Sequence, residues 1–161
     1  MSVRLTVEHG PHPGVPKAEV LRRARLVSRD LQLTHMELSI VLTNDETIHG
    51  LNRAFRKLDA PTDVLAFAMR EGEGGEMHAE LLGDVVVSVE TARAQAARAR
   101  RDVLSEVTML VVHGTLHLLG WDHDTRAKDV RMRAETARLC TIASRRSRRT
   151  RRLRSASKRQ G

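Results

Sequence analysis

Residues 113–123 read His113-Gly114-Thr115-Leu116-His117-Leu118-Leu119-Gly120-Trp121-Asp122-His123. The first two histidines are four apart, so on a helix both imidazoles leave one face a turn apart. Gly120 accepts the left-handed backbone that ends a helix. The chain can then turn and return His123 toward the other two. Three neutral imidazoles meeting at a point make a borderline-soft site, best suited to one zinc ion with a coordination position left open. An open position belongs to catalysis rather than to structure. A lone histidine in an apolar run is usually a core residue, and that remains the alternative here, but three at ligand spacing around a glycine turn are much harder to explain by packing. Upstream, Asp102 is an N-cap, and Val103, Val107, Leu110, Val111 and Leu118 cover much of a helix's circumference. The spacing predicts a central helix, buried on most sides, that carries the histidines on its last turns.

The same spacing occurs in metzincin proteases, whose pattern is H-E-x-x-H-x-x-G-x-x-H. Gly114 stands where those enzymes carry the glutamate that activates metal-bound water. The ligand set is retained and the peptidase's general base is missing. Asp122 and Asp124 flank His123. One of them can orient a ligand imidazole, although acids in a turn are commonly plain surface residues.

Outward from this motif, strands and helices are intermixed. Residues 3–7 alternate apolar and polar and read as a strand. Pro16 suits a helix start, with Val20, Leu21, Ala24, Val27, Ser28 and Leu31 following at helical spacing. Residues 36–42 alternate again, with Leu38, Ile40 and Leu42 on one face. Thr43, Asn44 and Asp45 are capping residues, and Ile48, Leu51, Asn52 and Phe55 continue with helical period. Residues 56–63 form a loop broken by Pro61, and residues 64–68 a short buried strand. The glycines of residues 70–80 mark a flexible loop. Gly83-Asp84 opens an apolar strand over residues 85–87, with Asp84 read as a turn residue. Ser88 caps an alanine-rich helix to about residue 100, and Thr125 starts a last helix to about residue 144. The class is α+β: a single compact domain over residues 1–144, with a mixed sheet of about four strands packed with helices.

A chain of 161 residues can bury a real core, and 40% hydrophobic content suits a soluble globular protein. No run is long enough to span a bilayer and no signal-peptide pattern opens the chain, so no membrane association is expected. The one cysteine, Cys140, excludes an internal disulfide, makes a disulfide-linked partner unexpected and fits a reducing, cytoplasmic compartment. It reads as a small buried apolar residue rather than a ligand. The aromatic residues are Phe55, Phe67 and Trp121, too few for a multi-ring nucleic-acid platform.

The net charge of +8 is unevenly spread. Residues 145–161 hold Arg145, Arg146, Arg148, Arg149, Arg151, Arg152, Arg154, Lys158 and Arg159 and no acid, leaving 19 basic against 20 acidic residues in the remainder. Such a tail is expected to be disordered alone and to act as a counterion for RNA phosphates. A solubility tail or an anionic-membrane contact is the alternative. Arg56 lies just after a helix and beside the proline-bearing loop. A guanidinium there can hold a phosphate with two donors. From periodicity alone, a surface arginine pairing Asp59 or Asp63 is the simpler reading.

The combination of Leu51-Asn52, Phe55-Arg56, Asp59-x-Pro61-Thr62-Asp63-Val64-Leu65-x-Phe67, Gly83-Asp84-Val85-Val86-Val87-Ser88 and the histidine motif resembles the YbeY endoribonucleases, bacterial metal-dependent rRNA maturation factors. The resemblance spans residues 3–143. It implies a compact α+β fold, zinc on His113, His117 and His123, and cleavage of single-stranded RNA in maturing the 3′ end of small-subunit (16S) ribosomal RNA. It also implies ribosome quality control, with the small ribosomal subunit as partner. By the same resemblance Arg56 matches the family's essential arginine, and His113 is a catalytic as well as a ligating residue. The family usually has serine and proline at Ala66 and Ala68, and often tyrosine at Phe55 and Trp121. The arginine-rich tail is not part of the resemblance. Two rival functions are a metalloprotease, opposed by Gly114, and a non-catalytic RNA-binding ribosome assembly factor whose metal is structural.

Overall fold

Alternation of apolar and polar residues builds the sheet that everything else packs on. In this computed structural model, which describes residues 2–69 and 80–145, four strands form one mixed sheet. They are β1 (Ser2–Val7), β2 (Glu37–Thr43), β3 (Val64–Ala68) and β4 (Leu81–Ser88), in the order β1-β2-β4-β3. β1, β2 and β4 are parallel, and β3 is the antiparallel edge. The expectations for the loop at 70–79 and for the tail from residue 146 lie outside the described residues.

The two faces of the sheet bury different partners, as period-two side chains require. Leu38, Ile40 and Leu42 of β2 join Val85 and Val87 of β4 in the main core. Against that face lie α1 (Lys17–Asp30), α3 (Val89–Ala99) and α4 (Val103–Leu118). On the opposite face, α2 (Asp45–Arg56) sets Ile48 against Leu65 and Val86. A second layer forms behind α4, where Val112 and Leu116 meet Met132, Leu139 and Ala143 of α5 (Arg126–Ala143). α4 is thus enclosed by the sheet on one side and by α1 and α5 on the other, as its nearly all-round apolar sequence demands.

Local signals set most boundaries. Asn44, Ser88, Asp102 and Thr125 each accept a hydrogen bond from the backbone N–H three residues on, satisfying donors that the first helical turn leaves free. The threonines buried on α4 return their hydroxyls to their own helix: Thr108 donates to the Leu104 carbonyl and Thr115 to the Val111 carbonyl, both at 2.7 Å. Glu106 is 2% exposed and faces the Arg101 guanidinium at 3.3 Å. Cys140 is half-buried at the edge of the second layer rather than fully buried.

The sequence misleads at β4. The strand starts before Gly83, and Asp84 is not a turn residue: it pairs with Ser39 of β2 and Phe67 of β3. Between Glu37 and Leu38 the register shifts, leaving an extra residue in β4. The extra residue is Leu82; Gly83 follows it with φ 148°, and a Cβ there would lie 2.2 Å from the Phe67 carbonyl oxygen. The glycine marks a close approach of two strands, not a chain reversal.

Candidate metal centre

The end of α4 is built to reverse the chain. The Gly120 N–H donates to the His117 carbonyl and the Trp121 N–H to the Leu116 carbonyl, each at 3.0 Å. These are the two bonds of a Schellman motif, and Gly120 at φ 92° supplies the left-handed residue it needs. Trp121 then packs back onto the second layer. The reversal brings His123 beside His113 and His117, as the glycine's position in the motif predicts.

The three imidazoles converge. His113 Nε2 and His117 Nε2 are 3.0 Å apart, and one nitrogen from each ring lies within 4.8 Å of the other two. Ligands about 2.0–2.1 Å from a tetrahedral ion stand about 3.4 Å from one another, so this donor set fits a small divalent cation. His113 and His117 are half-buried and His123 is exposed, leaving one side open to solvent. Burial pushes the His113 and His117 pKa values down from the usual 6.5, and the neighbouring rings add to the shift. Both rings are therefore held neutral near pH 7, with lone pairs free to ligate.

The acids that flank His123 do not orient a ligand. Asp122 accepts from the His123 backbone N–H at 2.7 Å, and Asp124 pairs with Lys128 at 3.3 Å. They shape the turn and its surface. The carboxylate that acts on His113 is Asp63, which favours the protonated ring and lines the same cavity of about 700 Å³. Asp63 is fixed by Val64 N–H at 2.8 Å and Gln95 Nε2 at 3.2 Å. Its signal in the sequence was only its place after Pro61-Thr62. Gly114 faces the sheet. A Cβ there would lie 2.7 Å from Val85 Cγ1 and 3.3 Å from Val64 Cγ2, so the position has no room for a glutamate.

Arg56 reaches the site from the other side of the sheet's edge. Its Nη2 donates to the Ala66 carbonyl at 2.6 Å, and its guanidinium lies 5.5 Å from the centre of the Phe67 ring. It pairs with neither Asp59 nor Asp63; Asp59 instead meets His49 at 2.7 Å. Arg56 and His117 line one cleft of about 360 Å³, and the cation is near enough to lower the His117 pKa. The loop that places Arg56 is tied by Asn52, which is 4% exposed and donates from Nδ2 to the Ala60 carbonyl at 2.9 Å. Periodicity put Asn52 and Phe55 on one apolar face. Asn52 is buried, but Phe55 is not: it is 68% exposed.

A family profile described as Endoribonuclease YbeY matches residues 17–143, a stretch that holds Arg56 and all three histidines. The chain belongs to the YbeY endoribonuclease family. An Endoribonuclease YbeY from Aquifex aeolicus is 44% identical over 110 residues, covering 68% of this chain and 71% of that one. Another, from Anaeromyxobacter, is 41% identical over 139 residues, covering 86% of this chain and 70% of that one. A third, from Pelotomaculum thermopropionicum, is 53% identical over 90 residues, and the match spans 59% of its length, under two thirds. The solution structure of a Thermotoga maritima protein superposes with a TM-score of 0.61 at 22% identity, covering 88% of each chain, and so shares the fold. The YbeY profile ends before the arginine-rich tail begins.

Proposed function

We propose that this chain is a metal-dependent endoribonuclease that cleaves single-stranded ribosomal RNA and matures the 3′ end of the small-subunit RNA. The observation that carries the reading is the convergence of three imidazoles, one of which, His117, lines an open cleft together with Arg56. Family membership supplies the reaction class. His113, His117 and His123 would hold one zinc ion. Such an ion supplies Lewis-acid stabilisation of charge on a phosphate oxygen.

The chain's own residues do the rest. Arg56, braced by the Ala66 carbonyl and the Phe67 ring, keeps further N–H donors for a phosphate in the cleft and for the charge that develops on it. His113 and His117 enter the reaction neutral. The side chain of Asp63 is held by Val64 and Gln95, and its charge acts on His113 against the larger effect of burial. Arg145, Arg146, Arg148, Arg149, Arg151 and Arg152 would contact phosphates outside the cleft. The only one of these among the described residues is Arg145, whose carbonyl accepts from Arg22 at 2.7 Å. The small ribosomal subunit is the partner and the cytoplasm the compartment this reading requires. Among the described residues no helix is long and apolar enough to cross a membrane.

The test is incubation of the purified chain with a short single-stranded precursor RNA, with and without a chelator, followed by analysis of the new ends. Cleavage that stops with the chelator is expected. A cyclic phosphate assigns attack to the RNA 2′-hydroxyl, and a 5′-phosphate assigns it to water. Tight binding with no cleavage under any metal would refute the nuclease in favour of an assembly factor.

A further inference from the structure

We infer that Phe55 is a base-stacking platform, set next to Arg56, that fixes the path of single-stranded RNA into the cleft. The inference rests on the nuclease reading for the identity of the ligand. Phe55 is 68% exposed, although it is one of only two phenylalanines in a chain with no tyrosine. An aromatic ring left in water at the end of a helix contributes nothing to the core. It is nonetheless held in place: Phe67 packs against it edge-to-face, with ring centres 5.6 Å apart and planes at 69°. The same Phe67 ring carries the Arg56 guanidinium. One buried-side ring thus braces both an exposed ring and the cation that lines the cleft with His117.

The surroundings select the ligand. Arg53, Arg56 and Lys57 are all exposed around Phe55. The nearest acid in sequence, Asp59, is engaged by His49 at 2.7 Å. An exposed ring among cations, with the Arg56 guanidinium at its side, is the combination that single-stranded nucleic acids use: backbone on the charges, base on the ring. Leu58, 59% exposed, extends the apolar surface beside the ring. A nucleobase on Phe55 would place the adjoining phosphate toward Arg56 and the histidines. Stacking is tolerant of base identity, so the platform would favour unpaired strands over duplexes without reading sequence.

The experiment uses the full chain, freed of metal by a chelator so that RNA stays intact. It is titrated with a short single-stranded RNA carrying one 2-aminopurine, moved position by position. Fluorescence should be quenched most at one position. Phe55→Ala should remove that quenching and weaken binding by about five- to 150-fold, the range that alanine substitution gives at stacked bases. Phe55→Leu keeps apolar bulk without a ring and should behave like Phe55→Ala, whereas Phe55→Trp should retain both quenching and affinity. Unchanged quenching and affinity in Phe55→Ala, or persistence of both in Phe55→Leu, would overturn the inference and leave the ring to a protein partner. The two readings fail separately. If metal-loaded wild type never cuts RNA but shows ring-dependent quenching, the nuclease assignment fails and stacking stands. If it cuts RNA while binding ignores Phe55, the reverse holds.

Discussion

Gly114→Ala reverses the ordinary sign of a glycine-to-alanine change in a helix. In an open helix interior the substitution gains about 1 kcal/mol from propensity. Here the new methyl group would lie 2.7 Å from Val85 Cγ1, 3.1 Å from Val85 Cγ2 and 3.3 Å from Val64 Cγ2. Val85 is fully buried in the main core and has no free direction in which to yield. Overpacking of this kind costs about 1–3 kcal/mol, so the expected net loss is ~1 kcal/mol. For a domain of this size that lowers the melting temperature by about 3–4 °C. α4 should also shift away from the sheet and carry His113 and His117 with it, so zinc affinity should fall with stability. Gly114→Glu adds a buried carboxylate set against the Val85 and Val64 side chains, a further several kcal/mol. That approaches the whole stability of a typical domain, so this variant should be largely unfolded. The assay is thermal unfolding of the metal-free protein, with zinc titration alongside. In a Val85→Ala background the clash is relieved, and Gly114→Ala should become neutral or stabilising. A higher melting temperature for Gly114→Ala in the wild-type background would refute the reasoning.

His117→Ala should abolish stoichiometric zinc binding, read by elemental analysis, because it removes the ring closest to a second ligand; full occupancy would contradict the site. Arg56→Ala should keep metal and fold and lose about 10²–10³ in cleavage rate, the usual loss for one electrostatic donor. Arg56→Lys should also be impaired, since an ammonium cannot bond Ala66 and a phosphate with one planar fork. Glu19 is held by Arg22 and Arg23, and its carboxyl drops from the usual 4.5 to about 2. A lowered folded-state pKa contributes stability above pH 4.5 that is lost as pH falls toward 2, so Glu19→Gln should flatten acid unfolding in that window. The effect should stay within about 1 kcal/mol, because the cluster is partly exposed. Removing residues 146–161 should leave melting and zinc binding unchanged and reduce the salt dependence of RNA binding. With four of its eight charges on phosphate, the slope of log K against log salt should flatten by about 3.

What the sequence revealed and what it hid divide along the distance between interacting residues. The caps at Asn44, Ser88, Asp102 and Thr125 act within one turn, and each was readable from its own neighbourhood. The convergence of the histidines was legible for the same reason: two imidazoles share a helix face and the third follows a glycine turn. Features that depend on strand pairing were not. Gly83 and Asp84 looked like a turn because the close approach of Phe67 comes from another strand. Arg56 looked like a partner for a nearby acid, but its anchor is the Ala66 carbonyl on β3. Asp63 acts on His113 across the fold, while the acids beside His123 in sequence do not orient it. Phe55 followed the helical period of Ile48 and Leu51, yet it falls on the last turn of α2, where its ring meets the edge of Phe67 and stays 68% exposed.

All three candidate ligands lie in one short segment, whereas Arg56 arrives from a different helix and is anchored on β3. Closing a short loop costs little chain entropy. Capture of an ion can therefore survive a loosening of the β3 edge that would carry Arg56 away. A preparation can hold a full complement of metal and still contain molecules unable to cut RNA. Metal content would then overstate the active fraction, and titration with a tight-binding substrate analogue would be the proper count of working sites.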